Sequence, residues 1–311
     1  MVKALAILLI ALAAALGIAA LALFRKAVVR RQPARTPEES VRAHARRFGL
    51  AEEPLVEGVR WIGEQDWEEV SIESFDGLRL RGRYLPAEGK RRAILFHGYR
   101  SSAEQDFCLG APLFHALGYD ILLVDQRCHG GSEGTYIGFG TLERYDCRAW
   151  AEEANRRWGE VPTVLAGISM GATTVLMAAG GPLPGNVKAI LADCGFTSAR
   201  DILRHELRTL MRLPAFPFLP LADGLNHLLA GWGFGDYSTL TAMESNTLPV
   251  LFVHGGDDNF VPTEMSRENY AACRAEKELL IIPGADHGMS FAVDGARCRA
   301  VLEAFLRRWV A

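Results

Sequence analysis

The chain has 311 residues, 49% of them apolar and 23% charged, a composition that excludes a disordered chain and suits one large α/β domain or two small ones. Its formal net charge is -3, and no basic stripe with interleaved aromatics runs through its body, so nucleic acid is excluded as a favoured partner.

The first feature in chain order is "ALAILLIALAAALGIAALALF", residues 4–24, which carries no charge. At about 1.5 Å per residue, some 21 residues just cross a hydrocarbon core. We expect a single-pass N-terminal transmembrane helix over residues 1–24. The competing readings are a cleaved signal peptide, for which the run is long and the following residues too basic, and a buried helix of a soluble protein. Lys3 stands alone before the run, whereas Arg25, Lys26, Arg30, Arg31 and Arg35 follow it, so the positive-inside tendency places the folded domain in the cytoplasm. Residues 25–66 are charged and interrupted by Pro33, Pro37 and Pro54. They read as a juxtamembrane linker, a tether with one short helix over 38–48 between flexible joints.

A folded domain follows over 67–311. Eight strands are expected, in "WEEVSIES", "LRLRGRYLP", "RAILFHG", "YDILLVD", "PTVLAGIS", "VKAILAD", "LPVLFVHG" and "KELLIIPG", the first two joined by an Asp76-Gly77 hairpin turn. From the third strand on, helical patterns intervene at about 103–117, 141–158, 170–180, 263–275 and 294–309. Strand and helix alternating in this way predict an α/β fold: a mostly parallel eight-stranded sheet with helices on both faces and ligands at the carboxyl ends of its strands. Residues 197–247 break the rhythm. They are too long for a crossover and read as a helical lid insert, with helical patterns around "LPAFPFLP" and then "GWGFGDYS". Six cysteines, Cys108, Cys128, Cys147, Cys194, Cys273 and Cys298, show neither CxxC spacing nor ligand clustering. No metal site or disulfide framework is expected, and buried thiols agree with a reducing compartment.

The chemistry gathers at strand ends. In Gly167-Ile168-Ser169-Met170-Gly171 a serine sits between a strand and a helix, and the flanking glycines remove the Cβ atoms that would clash at so sharp a turn. A serine hydroxyl needs a base and donors for the oxyanion its attack creates. The helix opening at Met170 offers its free amide, and the glycine of His97-Gly98 lets the backbone turn so that the Tyr99 amide faces the same point. After the seventh strand "HGGDDNFVP" holds two carboxylates, and by spacing either Asp257 or Asp258 can orient a base. His287, in "IIPGADHGMSF", follows the eighth strand between two glycines, where an imidazole reaches both serine and carboxylate; Asp286 beside it reads as a loop or capping residue. The chain order is therefore nucleophile, acid, base.

With these residues in place, "FHGYRSSA", "DQRCHGGSEG", "GISMGA", "HGGDDNFVP" and "PGADHGMSF" together resemble the α/β-hydrolase superfamily over roughly residues 68–309. Within it the chain looks most like bacterial membrane-associated hydrolases of the serine-aminopeptidase-like and lysophospholipase-like kind. The resemblance implies the α/β-hydrolase fold and a catalytic triad of Ser169, Asp258 and His287, with Asp258 chosen because it matches the Asp of D-x-x-V-P. It also implies Tyr99 and Met170 as oxyanion-hole amides, and no cofactor. Two departures stand out: Cys128 lies where relatives usually have glycine, and the HGGG run of many lipases is absent, which counts against bulky tertiary esters. Arg127 and His129 are expected to brace their loop, and Cys194 to be a structural thiol. The function expected is a membrane-anchored serine hydrolase acting on carboxylic esters, with Phe216, Phe218 and Trp232 of the lid, beside Leu219 and Phe234, either forming a pocket for a lipid-like acyl group or packing the lid's own small core. Alternatives are a serine peptidase or amidase with the same triad, and a non-catalytic scaffold that binds a hydrophobic ligand or partner.

Overall fold

The computed structural model describes residues 1–310. Eight strands form one sheet: β1 (Glu68–Glu73), β2 (Arg79–Leu85), β3 (Arg91–Phe96), β4 (Tyr119–Asp125), β5 (Thr163–Ile168), β6 (Val187–Asp193), β7 (Val250–Gly255) and β8 (Lys277–Ile282). Their order is β1-β2-β4-β3-β5-β6-β7-β8. β1, β2 and β4 pair antiparallel, and every later pairing is parallel. The sequence pattern explains the split, because β2 alternates exposed and buried residues from Arg79 to Tyr84 whereas β4, β5 and β7 are buried almost throughout, as strands covered on both faces must be.

Successive side chains divide between two cores. Leu95, Leu123, Ala166, Leu191 and Val253 pack with Phe114, Leu302 and Phe305 on one face, and Ile94, Phe96, Leu122, Leu165 and Phe252 pack with Trp150, Val175 and Leu176 on the other. The covering helices fall where the periodicity places them, at Glu143–Trp158, Met170–Ala179, Thr263–Ala272 and Gly295–Trp309. The expected helix at 103–117 is two short ones, Ala103–Asp106 and Gly110–Ala116.

Two regions differ from expectation. The insert contains helices Ala199–Thr209, Ala215–Ala230 and Thr239–Ser245, but "GWGFGDYS" is a loop: Gly231 adopts φ +77 and ends the preceding helix, and the Asp236 carboxylate accepts the Gly233 N–H at 2.7 Å. Residues 25–66 are not a loose tether. The apolar helix continues from Val2 to Ala27, and Val28 and Arg30 then exchange backbone hydrogen bonds with Ile137 and Thr135 while the Arg30 guanidinium donates to the Ser132 and Gly130 carbonyls. The expected helix, Pro37–Phe48, opens on a Thr36/Glu39 capping box. A second helix, Glu53–Glu64, has Pro54 in its first turn, where proline is tolerated because its missing N–H would have no helical partner. Val41 and Ala45 of the first pack with Leu55 and Val56 of the second over Cys108, so amphipathic faces hold this segment on the body.

Candidate active site

β5 ends at Ile168 and the helix begins at Met170, so one residue makes the turn. That residue, Ser169, has φ 56 and ψ -116, a strained backbone for a residue with a Cβ. Both glycines are required by contact. A Cβ on Gly171 would lie 1.8 Å from the Phe96 carbonyl oxygen of β3, and one on Gly167 would lie 2.2 Å from the Gly171 backbone. The Ser169 N–H donates to the Asp193 carbonyl at 2.8 Å, tying the turn to the end of β6.

His287 Nε2 lies 2.9 Å from Ser169 Oγ, and its Nδ1 lies 2.7 Å from Asp258 Oδ2. The structure thus brings together three residues that the sequence spreads over three strand ends, and it separates the two carboxylates of the seventh-strand loop: Asp258 is buried and Asp257 exposed. Asp258 Oδ1 accepts the N–H groups of Phe260 and Val261 at 2.9 and 2.8 Å. His254, which the sequence analysis did not single out, places Nε2 3.1 Å from Asp258 Oδ2 and Nδ1 2.6 Å from Ser266 Oγ; its one visible signal was its place at the end of β7. Burial raises the pKa of the Asp258 carboxyl, but hydrogen bonds from His254 and His287 outweigh it and hold the group well below the usual carboxylate range. Burial lowers that of His287, but its hydrogen bond to Asp258 and the charge of that carboxylate outweigh this and raise it. A hydroxyl bonded to an imidazole that is itself held by an ionised carboxylate is a proton relay able to activate the hydroxyl.

The two loops that carry Asp258 and His287 are held together by close backbone contact. A Cβ on Gly255 would meet the Ala285 carbonyl at 2.3 Å. Asp257 N–H donates to that carbonyl, and Asp286 Oδ1 accepts the N–H groups of Asn259 and His287. Asp286 is thereby a loop brace.

Opposite His287 runs the loop after β3. Gly98 passes so close that a Cβ there would be 3.2 Å from Ser169 Cβ, and its N–H donates to Asp106 Oδ2 at 2.6 Å. Tyr99 follows, beside the serine, and Met170 opens its helix with an N–H that has no place in the helical ladder. The Tyr99 hydroxyl donates to the Ala27 carbonyl at 2.7 Å, and Arg100 donates to the carbonyls of Lys26 and Val29. Behind them His129 Nε2 accepts the Arg100 N–H at 2.8 Å; burial and the neighbouring His97 push its pKa down to about 3, so it stays a neutral acceptor. Arg127 is buried and bridges Asp146 at 2.6 Å and Asp76 at 2.9 Å. Cys128 adopts φ 67, a conformation that favours glycine. Cys194 is buried, and burial with the charges of Asp193 and Asp258 raises its thiol pKa well above the usual value.

Two cavities meet at Ser169. One, of about 520 Å³, has mostly apolar walls, from Phe107, Leu191 and Phe291 among others, and carries the polar side chains of Arg47, Gln105, Asp193 and His287. Asp193 there is 3% exposed, with Oδ1 unpaired, and burial pushes its pKa up to about 7. The second, of about 270 Å³, is mostly apolar, with walls from Phe139, Phe196, Leu207, Leu219 and Phe234. Leu23 and Ala27 of the N-terminal helix close it, a contribution with no local signal in the sequence. Of the three lid residues expected at the pocket, none lines either cavity. Phe216 breaks the helical backbone with φ -91 and ψ 134 and is 79% exposed; Phe218 is partly exposed; Trp232 is buried against Phe139 and Phe234, behind the wall.

The comparisons with known proteins agree with this architecture. The alpha/beta hydrolase family model matches residues 93–301. The uncharacterised protein YqkD of Bacillus subtilis is 31% identical over 237 residues, covering 76% of this chain and 77% of its own. The uncharacterised protein Rv2307c of Mycobacterium tuberculosis is 28% identical over 243 residues, 77% of this chain and 78% of its own. Among solved structures the Pyrococcus furiosus esterase Pf2001 superposes with a TM-score of 0.67 at 20% identity, over 92% of this chain and 98% of that one. A family model spanning most of the chain, on a sheet with this strand order and a strained strand-to-helix turn, establishes that the chain belongs to the alpha/beta hydrolase family.

Proposed function

We propose that this chain is a membrane-anchored serine hydrolase that cleaves carboxylic esters carrying an apolar acyl group. In this reading Ser169 Oγ attacks the ester carbonyl while His287 Nε2 takes its proton. Asp258 holds the imidazole by Nδ1 and stabilises the imidazolium, and the Tyr99 and Met170 amides receive the oxyanion. The imidazolium then protonates the departing alcohol, and water, activated by His287, releases the acyl group and frees Ser169. The single observation that carries the reading is the line of contacts from Ser169 through His287 to Asp258, at 2.9 and 2.7 Å, placed where two cavities meet. The apolar cavity suits the acyl part and the more polar one the alcohol. The structural neighbours include both an esterase and an acylaminoacyl peptidase, and the apolar cavity beside Ser169 is what favours an acyl ester here.

The Val2–Ala27 helix is long and apolar enough to cross a membrane, and the basic residues after it favour a cytoplasmic catalytic domain. We read the chain as that anchor, a packed connecting segment to residue 66 and a catalytic domain with its lid. The test is labelling of the detergent-solubilised chain by a fluorophosphonate, with Ser169→Ala as control, followed by p-nitrophenyl acyl esters against aminoacyl amides. Labelling that vanishes in Ser169→Ala, with faster ester than amide turnover, is expected. A folded protein that takes up no probe overturns the assignment, and preference for amides makes it a peptidase or amidase.

A further inference from the structure

The N-terminal helix leaves the body earlier than a membrane span allows. Residues 2–15 are exposed on every side, whereas Leu16, Ala19, Ala20, Leu23, Phe24 and Ala27 form one helical face that packs along the Ala215–Ala230 helix of the lid and onto the body. The free part is therefore about 21 Å long, some 9 Å short of a hydrocarbon core of about 30 Å. To cross it, the helix must sink a further six or so residues, and those are the residues that lie beside the lid.

The lid's outer surface has the composition such a position demands. Phe216, Leu221, Leu228 and Leu229 are all exposed, Phe216 and Leu228 at 79% each, where a water-facing helix presents polar residues. The Asp223 carboxylate on the same helix turns inward, accepting the Phe234 N–H at 2.7 Å and pairing with Arg200 at 3.3 Å. Arg25, Lys26, Arg208 and Arg212 are exposed around the helix end and the lid edge, the charge that meets anionic headgroups. Leu210, in the same insert and 64% exposed, lines both cavities, so an exposed apolar residue of the lid stands at the edge of the space beside Ser169.

We propose that the lid's outer face, together with the last turns of the N-terminal helix, rests in the lipid–water boundary and seats the mouth of the site there, so that the substrate is an acyl ester drawn from the bilayer. The proposal rests on the hydrolase reading for its substrate and on the apolar surface for its geometry. An acyl chain in the bilayer passes Leu210 into the cavity closed by Leu23 and Ala27 without crossing water, while the headgroup remains on the polar side.

The native cysteines are all buried, so nitroxide labels can be placed selectively on the full chain at Leu221→Cys and Leu228→Cys, with Glu160→Cys on the distant end of the sheet as control. In vesicles of phosphatidylcholine and phosphatidylglycerol, labels at 221 and 228 should be more accessible to oxygen than to an aqueous nickel chelate, and the label at 160 the reverse. Lid labels that behave like the control overturn the proposal. Hydrolysis gives the second readout: Leu221→Glu/Leu228→Glu should stay within about twofold of the parent on a short-chain p-nitrophenyl ester in solution and lose about tenfold or more on a long-chain acyl ester within the vesicles. Equal activity on both substrates, or equal loss on both, overturns it. A parent chain inactive on either ester while the lid labels report lipid contact retires the hydrolase reading and upholds the surface.

Discussion

Asp258 and Asp257 are adjacent in the chain and alike in chemistry, yet only one accepts two backbone N–H groups and faces two imidazoles. Replacing Asp258 by Asn should lower kcat about 10⁴-fold, because the imidazole loses its orienting charge, while Asp257→Asn should leave the rate within about twofold; steady-state kinetics on a p-nitrophenyl ester decides between them. The proposed mechanism needs neutral His287. Since its pKa is raised above the usual 6.5, the acid limb of kcat/KM should lie above that value, and removal of the Asp258 charge should shift it down. The unpaired carboxyl of Asp193 has the opposite kind of consequence. Its folded pKa, pushed up to about 7 from 3.8, gives a contribution to stability that is full below the unfolded value and lost as pH rises through about 7. Asp193→Asn should therefore raise Tm at pH 8 by a few degrees and flatten the loss between about pH 4 and 8, as a thermal melt series would show. Ser169, His287 and the aspartate pair stood out in the sequence because each follows a strand and sits among glycines. The partners that tune them did not: His254 is a histidine inside an apolar strand whose role emerges only when the loop after it folds back, and Asp193 acts from the end of a different strand.

The strand-to-helix turn is the element on which the site depends, and its tolerance is narrow. Gly171→Ala would set a methyl group 1.8 Å from the Phe96 carbonyl oxygen, a clash with backbone that no rotamer relieves. It should cost about 3 kcal/mol or more and appear as lost soluble yield or a Tm fall of several degrees. Strands were readable as elements because burial on both faces leaves apolar runs of the right length. Less readable were the segments whose punctuation has two meanings. Pro54 reads as a break but sits in the first turn of a helix, and the aromatic-rich "GWGFGDYS" reads as helical but is held as a loop by its glycines and Asp236. Phe216 and Phe218 suggested a pocket by composition, yet helix phase turns Leu219 to the cavity instead and the loop after the helix supplies Phe234, and phase within a proline-interrupted insert is set by what the insert packs against.

At the scale of the whole molecule, the apolar N-terminal helix and the α/β body form one structure. Leu23 forms a wall of the cavity beside Ser169, and the Ala27 carbonyl accepts the Tyr99 hydroxyl, so a change in the helix reaches the site. Leu23→Phe should narrow the apolar cavity and shift the preferred p-nitrophenyl ester toward shorter acyl chains by severalfold in kcat/KM, with the short-chain rate retained; an unchanged chain-length profile would separate the helix from acyl selection. By itself the sequence determined the alternation of strand and helix, the membrane-length apolar run, and the serine, aspartate and histidine at three strand ends, because periodicity, length and glycine spacing are local properties of a chain. Only the tertiary structure decided which aspartate meets the histidine, which residues of the insert line the cavity and that the last turns of the N-terminal helix close it, because each is a contact between segments whose separation along the chain carries no record of their distance in space.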